Sequence, residues 1–269
     1  MRRMWLDTHC HLSAPEFAKD CEAVWFLARQ RGVSEALLPA VDLNDCAAVA
    51  DLAAHMPGCA PAYGIHPLFV AEAGEEGEAM TRLAEFLEKM PPIAIGEIGL
   101  DGMDKEADGA RQERFFLAQL RLAKKYDLPV VLHVRRAVDA VLRGLRQVRV
   151  EGGIAHAFNG SIEQAKAFMK LGFKLGFGGA LTYPGSRRIR ALAAELPLEA
   201  IVLETDAPDI PPVWLAGSGE KPRNTPAELP KIGNVLADLR GVAVETIAFQ
   251  TAANARSVLP GFAETGLMS

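Results

Sequence analysis

Short apolar runs alternate with longer amphipathic stretches along the whole chain of 269 residues. The apolar runs have the length and the Val, Ile, Leu and Ala content of strands that are buried on both faces. The stretches between them repeat their apolar residues with the spacing of a helix. The predicted strands are 4–9, 34–41, 59–65, 92–98, 129–134, 152–157, 173–178 and 200–205. The predicted helices are 19–31, 44–55, 75–90, 109–126, 137–148, 161–171, 186–196, 226–240 and 244–257.

This alternation predicts βα units that share one parallel sheet. The length of 269 residues suits one (β/α) barrel of roughly 250 residues better than two small domains. Polar residues follow many different strands, whereas a doubly wound sheet concentrates them at one switch point. We therefore predict a single domain over residues 1–269, an α/β fold of the (β/α)8 TIM-barrel type, with its functional site at the C-terminal ends of the strands.

Six residues with metal-binding side chains come at the ends of these apolar runs. They are His9, His11, Glu97, His133, His156 and Asp206. The C-terminal ends of barrel strands meet at one face of the molecule, so we expect the six side chains to converge there. Four imidazoles and two carboxylates are more ligands than one tetrahedral ion takes, which predicts a site for two divalent ions.

Each histidine also has an ordinary structural interpretation. The pair His9 and His11 is a weak signal alone, and a buried His133 or His156 is more often a hydrogen-bonded core residue than a ligand. Their joint placement favours a site, because five of the six histidines end predicted strands. The exception is His55, which lies in a predicted helix and receives no role.

The carboxylates have alternatives as well. Glu97 ends a run that is otherwise apolar, and a lone buried carboxylate is costly unless a cation or strong hydrogen bonds compensate it. It bridges two ions in the functional interpretation, and in the alternative it pairs with an arginine or lysine of the barrel. Asp206 binds an ion and accepts a proton from water, or it caps a helix, although Pro208 disfavours an immediate helix.

Further residues are expected around the ligands. Asp7 and Glu204 lie one step deeper than His9 and Asp206 on their strands, and we expect both to hold ligands in place from behind. Cys10 points the opposite way, into the packing between strand and helix.

Candidate substrate contacts lie nearer the rim. Arg135 follows His133 by two residues and suits bidentate binding of a phosphate or carboxylate, and His66 is expected to contact substrate without being a primary ligand. Arg187, Arg188 and Arg190 form a second basic cluster, for which a solvated helix face is the usual outcome. Gly176, Gly178 and Gly179 are expected to let a ligand approach the seventh strand. The segment 207–226 contains five prolines and Trp214 and predicts a semi-rigid rim, with a solvated loop as the alternative.

Composition narrows the classes of partner. The net charge of −5 argues against broad electrostatic binding of nucleic acid or of an anionic membrane, but a local cationic pocket remains compatible with it. The four cysteines form no CxxC pair, which favours a reducing, cytoplasmic compartment. The start of the chain has no apolar signal-peptide region, and no run reaches transmembrane length. No feature indicates a membrane or an obligate protein partner.

The motifs DTHCHL, GIHP, GEIGLD, QLRLAKKYDLPVVLH, HAFNGS, VLETDAP and RNTP occur in this order over essentially the whole chain. The chain thereby resembles the TatD family of metal-dependent hydrolases, within the amidohydrolase-like superfamily, and GGALTYP and ETDAPDIP point to its YjjV-like branch. The resemblance implies a TIM barrel, a deoxyribonuclease or phosphodiesterase activity that depends on divalent metal, and metal binding by the six residues named above. Two motifs depart from the common family pattern. His133-Val134-Arg135 stands where many members have the start of HSRDA, and HAFNGS stands where they have HCFSGS. The expected metal ligands His133 and His156 are kept in both motifs, so the departures bear on the expected substrate.

These observations predict hydrolysis of a phosphoester, most plausibly in DNA or a small phosphodiester. Asp206 and Glu97 are the expected catalytic residues, and Arg135, His66 and Asn224 the expected substrate contacts. Magnesium is usual for the family, but four histidines suit Zn, Mn, Co or Ni better. Two alternatives remain. One is a metal-dependent amidohydrolase or esterase such as an aminoacyl-tRNA deacylase, and the other is an inactive binding scaffold.

Overall fold

The computed structural model describes residues 5–103, 108–217 and 222–262. Within these ranges eight parallel strands follow one another around a barrel in the order of the sequence. The strands are β1 Trp5–Asp7, β2 Val33–Pro39, β3 Cys59–Tyr63, β4 Ala94–Asp101, β5 Val130–Arg135, β6 Gly153–Ala155, β7 Phe173–Phe177 and β8 Ile201–Leu203. The α-helices are α1 Cys21–Gln30, α2 Leu43–His55, α3 Glu76–Lys89, α4 Gly109–Tyr126, α5 Val138–Gln147, α6 Ile162–Lys170, α7 Arg187–Glu195, α8 Leu229–Arg240 and α9 Val244–Val258. The predicted TIM barrel is confirmed.

All eight strands end within three residues of the predicted position, and the differences at β1, β4 and β8 bear on the candidate site. β1 and β8 each end two residues early, at Asp7 and Leu203, whereas β4 continues three residues further, to Asp101. Residue 4, where the first strand was predicted to begin, lies outside the described ranges. The candidate ligands His9, His11 and Asp206 therefore lie beyond the ends of β1 and β8. Asp101, in contrast, is the last residue of β4.

Hydrogen bonds beyond the ends of β1 and β8 bring these two segments together. The Asp206 amide donates to the His9 carbonyl at 2.9 Å, and the His11 amide donates to the Ala207 carbonyl at 2.8 Å. The backbone of Asp206 has a φ of 57°, a left-handed conformation that few residues other than glycine adopt. This pairing, rather than strand alternation, places His9, His11 and Asp206 side by side.

The inside of the barrel is apolar at one end and polar at the other. Its apolar end is filled by small and branched side chains from the strands and by the end of α9. The residues are Leu6, Leu37, Ala60, Ala62, Ala94, Val131, Ile154, Val202, Ala252, Ala255 and Leu259. Because α9 closes that end, the space inside the barrel opens only toward the C-terminal ends of the strands in the described part of the chain.

Local signals in the sequence begin several helices. Asp42 caps α2 by accepting hydrogen bonds from the amides of Asn44 and Asp45. Ser161 and Gln164 form a reciprocal capping box at the start of α6. These caps fix the residues at which the loops after β2 and β6 end and the helices begin. They therefore help to position those loops around the site.

All four cysteines are free thiols, and Cys10 is fully buried in the core between strands and helices, as its predicted direction requires. In the described ranges, no helix combines the length and the apolar character needed to cross a membrane.

Candidate metal centre

Four of the expected ligands meet where the segments after β1 and β8 pass Glu97 in β4. The Nε2 atoms of His9 and His11 lie 3.0 Å apart. Glu97 Oε2 lies 3.0 Å from the first and 3.5 Å from the second. Asp206 Oδ1 lies 3.6 Å and 3.7 Å from the same two nitrogens. These spacings gather four potential donor atoms around one point.

The other oxygen of Glu97 faces a second set of nitrogens. Oε1 lies 2.7 Å from His133 Nδ1, 3.1 Å from His156 Nε2 and 3.5 Å from His66 Nε2. The six expected ligands are therefore all in one place, together with His66. Each oxygen of Glu97 belongs to a separate group, which is the arrangement a bridging carboxylate requires.

Glu97 is only 2% exposed, and among the described residues no arginine or lysine pairs with it. Burial by itself would raise the pKa of its carboxyl, but the charge of His156 and a hydrogen bond with His11 hold that pKa well below its usual value. The group is thus ionised at neutral pH in a site surrounded by imidazoles. The expected alternative, an ion pair with a barrel arginine or lysine, is not what the structure shows.

These residues fit a site for divalent metal. Three sets of side chains each bring their ligand atoms within 4.8 Å of one another, namely His9 with His11 and Asp206, His9 with Glu97 and His156, and His66 with Glu97 and His133. Mixed imidazole and carboxylate donors suit zinc and its first-row neighbours. The structure therefore brings the expected ligand set together, and the number and identity of the ions remain predictions.

His66 differs from the other histidines in its second nitrogen. Its Nδ1 accepts a hydrogen bond from the Leu68 amide at 3.1 Å, and burial lowers the pKa of the ring. A neutral ring that accepts at Nδ1 carries its proton on Nε2, the atom that faces Glu97. This Nε2 lies 3.0 Å from His133 Nδ1, so His66 is placed to donate a hydrogen bond at the ligand cluster, and its contact with substrate stays a prediction.

Asp101 received no role in the sequence analysis, but the structure places its carboxylate beside His133. Its Oδ2 lies 2.9 Å from His133 Nε2, and its side chain is fully buried. The carboxylate holds that ring nitrogen, so Nδ1 is left to face Glu97 and the metal site. The signal available in the sequence was the spacing, because Asp101 follows Glu97 by four residues and would lie beside the end of the fifth strand if the fourth continued.

Glu204 lies behind His156, as expected for a residue that supports a ligand. Its Oε1 accepts a hydrogen bond from the Ala157 amide at 2.5 Å and lies 3.6 Å from His156 Nδ1. A Cβ atom on Gly176 would lie 2.1 Å from Glu204 Oε2. The glycine therefore makes room for this buried carboxylate. Gly176, Gly178 and Gly179 also line the cleft, and the expectation that they let a ligand approach the seventh strand stays a prediction.

Asp7 supports the ligands through the backbone. It is fully buried and accepts hydrogen bonds from the amides of His9 and Thr205, at 3.2 Å and 3.0 Å, and from the Thr205 hydroxyl at 2.6 Å. None of these hydrogen bonds involves the imidazole ring of His9 or of His11. Asp7 thus joins the two segments that carry His9 and Asp206.

A cleft of about 1670 Å³ opens above the metal-binding residues. Arginines line one side of it, namely Arg135 and Arg136 at and just after the end of β5 and Arg188 in α7, whereas Glu16, Asp42 and Asp45 line it near β1 and β2. Arg135 is the last residue of β5, more than half exposed, with its Nη1 3.8 Å from Asp101 Oδ2. That distance is too long for a hydrogen bond, so the guanidinium is available to a ligand in the cleft.

Asn224 does not line this cleft. Its side chain is fully buried, and its Nδ2 donates to the carbonyls of Thr205, Asp209 and Ile210. Its Oδ1 accepts a hydrogen bond from the Thr225 amide. With every polar atom of the amide engaged, Asn224 fixes the loop after β8, and the expected contact with substrate is corrected.

The segment 207–226 has two different parts, and its residues 218–221 lie outside the described ranges. Pro208, Asp209 and Ile210 line the cleft. Trp214 donates from Nε1 to Glu228 Oε2 at 2.7 Å, next to the start of α8. Only the first part belongs to the rim, because Trp214 is held against the barrel exterior and does not line the cleft.

Comparisons with known proteins agree with this geometry. A sequence profile of the family described as TatD related DNase matches residues 6–260. The chain is 38% identical over 247 residues to the uncharacterized metal-dependent hydrolase YjjV of Escherichia coli K12, covering 91% of this chain and 93% of that protein. It is 34% identical over 259 residues to the 3'-5' ssDNA/RNA exonuclease TatD of Erwinia billingiae, covering 94% and 97%. The crystal structure of the TatD homologue YjjV from Escherichia coli has a TM-score of 0.90 and 36% identity to this chain, and the match covers 97% of this chain and 99% of that one.

Proposed function

Because the chain belongs to the TatD-related DNase family of metal-dependent hydrolases, we propose that it hydrolyses phosphodiester bonds in DNA with two divalent ions. The observation that carries this proposal is Glu97, whose two oxygens face two separate groups of ligands at the foot of a cleft. The arginines on one wall of that cleft match an anionic substrate.

The proposed chemistry divides between the ions and the protein. Two ions bound at Glu97 would neutralise charge on the phosphoryl group and make water a better nucleophile. Asp206 lines the cleft and is the proposed acceptor of the proton from the attacking water. Burial raises the pKa of its carboxyl to about 6, although His156 and His11 act against the shift, and a carboxylate with such a pKa is a stronger base than an exposed one.

Substrate is positioned from the opposite side of the cluster. Arg135 offers a guanidinium for two parallel hydrogen bonds to phosphate oxygens. His66 offers its Nε2 proton from the end of β3. Asp101 and Glu204 hold His133 and His156 in place, and Asp7 fixes the backbone of His9.

The alternative substrate is an ester or amide that carries a cationic group, such as an aminoacyl ester. The acidic residues on the other wall of the cleft are the observation that favours it. However, Asp42 caps α2, and Asp45 Oδ2 accepts a hydrogen bond from the Val41 amide. Because two of the three acidic groups are engaged in this way, the arginine wall is the stronger recognition surface.

An activity panel on metal-reconstituted protein tests the proposal. The substrates are single-stranded DNA, bis-p-nitrophenyl phosphate and an aminoacyl ester, each measured with Mg, Mn, Zn, Co and Ni. We expect hydrolysis of both phosphodiesters and little of the ester. Hydrolysis of the aminoacyl ester alone would reject the phosphodiesterase assignment in favour of the alternative.

Replacing Arg135 with alanine should lower kcat/KM on phosphodiesters about ten- to a hundredfold. The reason is that a charge-assisted hydrogen bond of this kind contributes about 1.5–3 kcal/mol. Metal content and Tm should change little, since the nearest carboxylate oxygen lies 3.8 Å away. Arg143, on the outer helix α5 and 3.5 Å from Glu113, provides the matched control. An Arg135→Ala protein with normal kinetics and a lowered Tm would make this arginine a structural residue.

A further inference from the structure

The wall of the cleft beyond Arg135 contains a second group of donors, formed by Asn159 and Arg188. Asn159 lies between β6 and α6, and Arg188 lies in the first turn of α7. Both side chains line the cleft that begins at the metal-binding residues. They are exposed and belong to neither set of ligand atoms around Glu97.

Arg188 is oriented by its neighbour and keeps its charge unpaired. Its Nε donates to Asn159 Oδ1 at 2.9 Å. Among the described residues, no carboxylate forms an ion pair with this guanidinium. An arginine held through Nε presents its two terminal nitrogens together, which is the geometry that binds two oxygens of one phosphate.

The neighbouring arginines of α7 behave differently. Arg190 donates from Nη1 to the Leu181 carbonyl at 3.0 Å. This hydrogen bond supports the short 3-10 helix Gly179–Thr182, which precedes α7. Arg187 is exposed but does not line the cleft. The expected solvated helix face therefore describes Arg187, whereas Arg188 faces the space that a substrate would occupy.

Positive charge without an ion pair exceeds free negative charge on this wall. Arg136 lines the cleft between Arg135 and Arg188 along the barrel, is exposed, and has no ion pair in the described part of the chain. The carboxylate of Asp139 on the same wall accepts a hydrogen bond from Gln164 Nε2 at 2.9 Å. The wall from β5 to α7 thus offers more unpaired positive charge than a single scissile phosphate needs.

We propose that Arg188, oriented by Asn159, binds a second phosphate of the substrate, one that is not hydrolysed in the same turnover. The substrate class is then a single nucleic acid strand with consecutive phosphodiesters, which leaves the cleft along the wall from β5 to α7. This inference rests on the proposed phosphodiesterase function and deepens it. A diester with one phosphate would occupy the metal centre without reaching this subsite.

The kinetic test compares two substrates and three variants. Arg188→Ala should lower kcat/KM about tenfold on a single-stranded oligodeoxynucleotide, mainly through KM, and leave bis-p-nitrophenyl phosphate unaffected. Asn159→Ala should show a smaller effect with the same selectivity. Arg187→Ala, the matched control on the same helical turn, should change neither substrate. Equal losses on both substrates, or no loss on the oligonucleotide, would overturn the proposal.

A binding measurement separates this inference from the proposed function. The probe is a single-stranded oligodeoxynucleotide with phosphorothioate linkages, and its affinity is measured over a range of salt concentrations. Each phosphate contact to a single strand contributes about −0.7 to the slope of log affinity against log salt. Arg188→Ala should lose about that amount, and Arg187→Ala should lose none. If the wild type binds the strand with this arginine-dependent slope but cleaves no phosphodiester, the proposed function fails and the subsite stands. An unchanged slope in Arg188→Ala rejects the subsite.

Discussion

Glu97→Gln should reduce hydrolysis by at least about a thousandfold and weaken metal binding at both positions of the site. The substitution keeps the shape of the side chain but removes the charge that faces both groups of histidines. A bound ion contributes several kcal/mol to the neutralisation of charge in the transition state, which corresponds to about three orders of magnitude in rate. The measurements are kcat/KM on bis-p-nitrophenyl phosphate and metal content by elemental analysis.

The matched control for this variant is Cys10→Ala. Cys10 lies between His9 and His11 in the sequence, but it is fully buried in the core outside the barrel. Its replacement should leave metal content and kinetics near those of the wild type. Similar activity losses in the two variants would show that the loss reflects a disturbed barrel and not a missing bridge.

Removing the metal ions should lower the melting temperature by at least about 10 °C. The metal site gathers five imidazoles and two carboxylates, so without ions the protein must bury polar groups that only partly compensate one another. An ion at about a thousand times its Kd stabilises the folded state by about 4 kcal/mol, and a domain of this size changes its Tm by about 2–4 °C per kcal/mol. Thermal unfolding of chelator-treated protein, with and without added Mn or Zn, provides the measurement.

The Glu97→Gln protein is the control for this effect too. It should melt at nearly the same temperature with and without added ions, because one substitution weakens both positions. If the wild type showed no shift at saturating metal, the buried cluster would have to be a self-sufficient structural network, and the two-ion account would fail.

The order of strands and helices could be predicted because parallel barrel strands are buried on both faces. Each such strand is therefore an apolar run, and a polar residue at its end is conspicuous. This reasoning located Glu97, His133 and His156 directly. It also located His9, His11 and Asp206, although the strand alternation used to place them does not apply. Both segments have left the sheet by that point and are held together by hydrogen bonds between residues that are far apart in sequence.

The residues whose roles were mistaken or missed depend on such distant contacts. Asn224 belongs to the RNTP motif, yet its side-chain amide nitrogen donates hydrogen bonds to three carbonyls of the loop after β8. Gly176 is required by Glu204, a residue 28 positions away in the sequence. Asp101 acquires its role only because β4 continues alongside β5. No local pattern encodes which side chain a neighbouring strand presents, so these roles emerged only from the assembled barrel.

Anomalous diffraction from crystals grown with Mn or Zn is the decisive measurement for two ions at Glu97, because it locates the ions independently of any substrate. We expect two anomalous peaks about 3.5–4 Å apart, one beside Glu97 Oε2 with His9 and His11, and the other beside Oε1 with His133 and His156. A single peak bound by only one oxygen of Glu97, or no peak near Glu97 at saturating metal, would contradict this expectation.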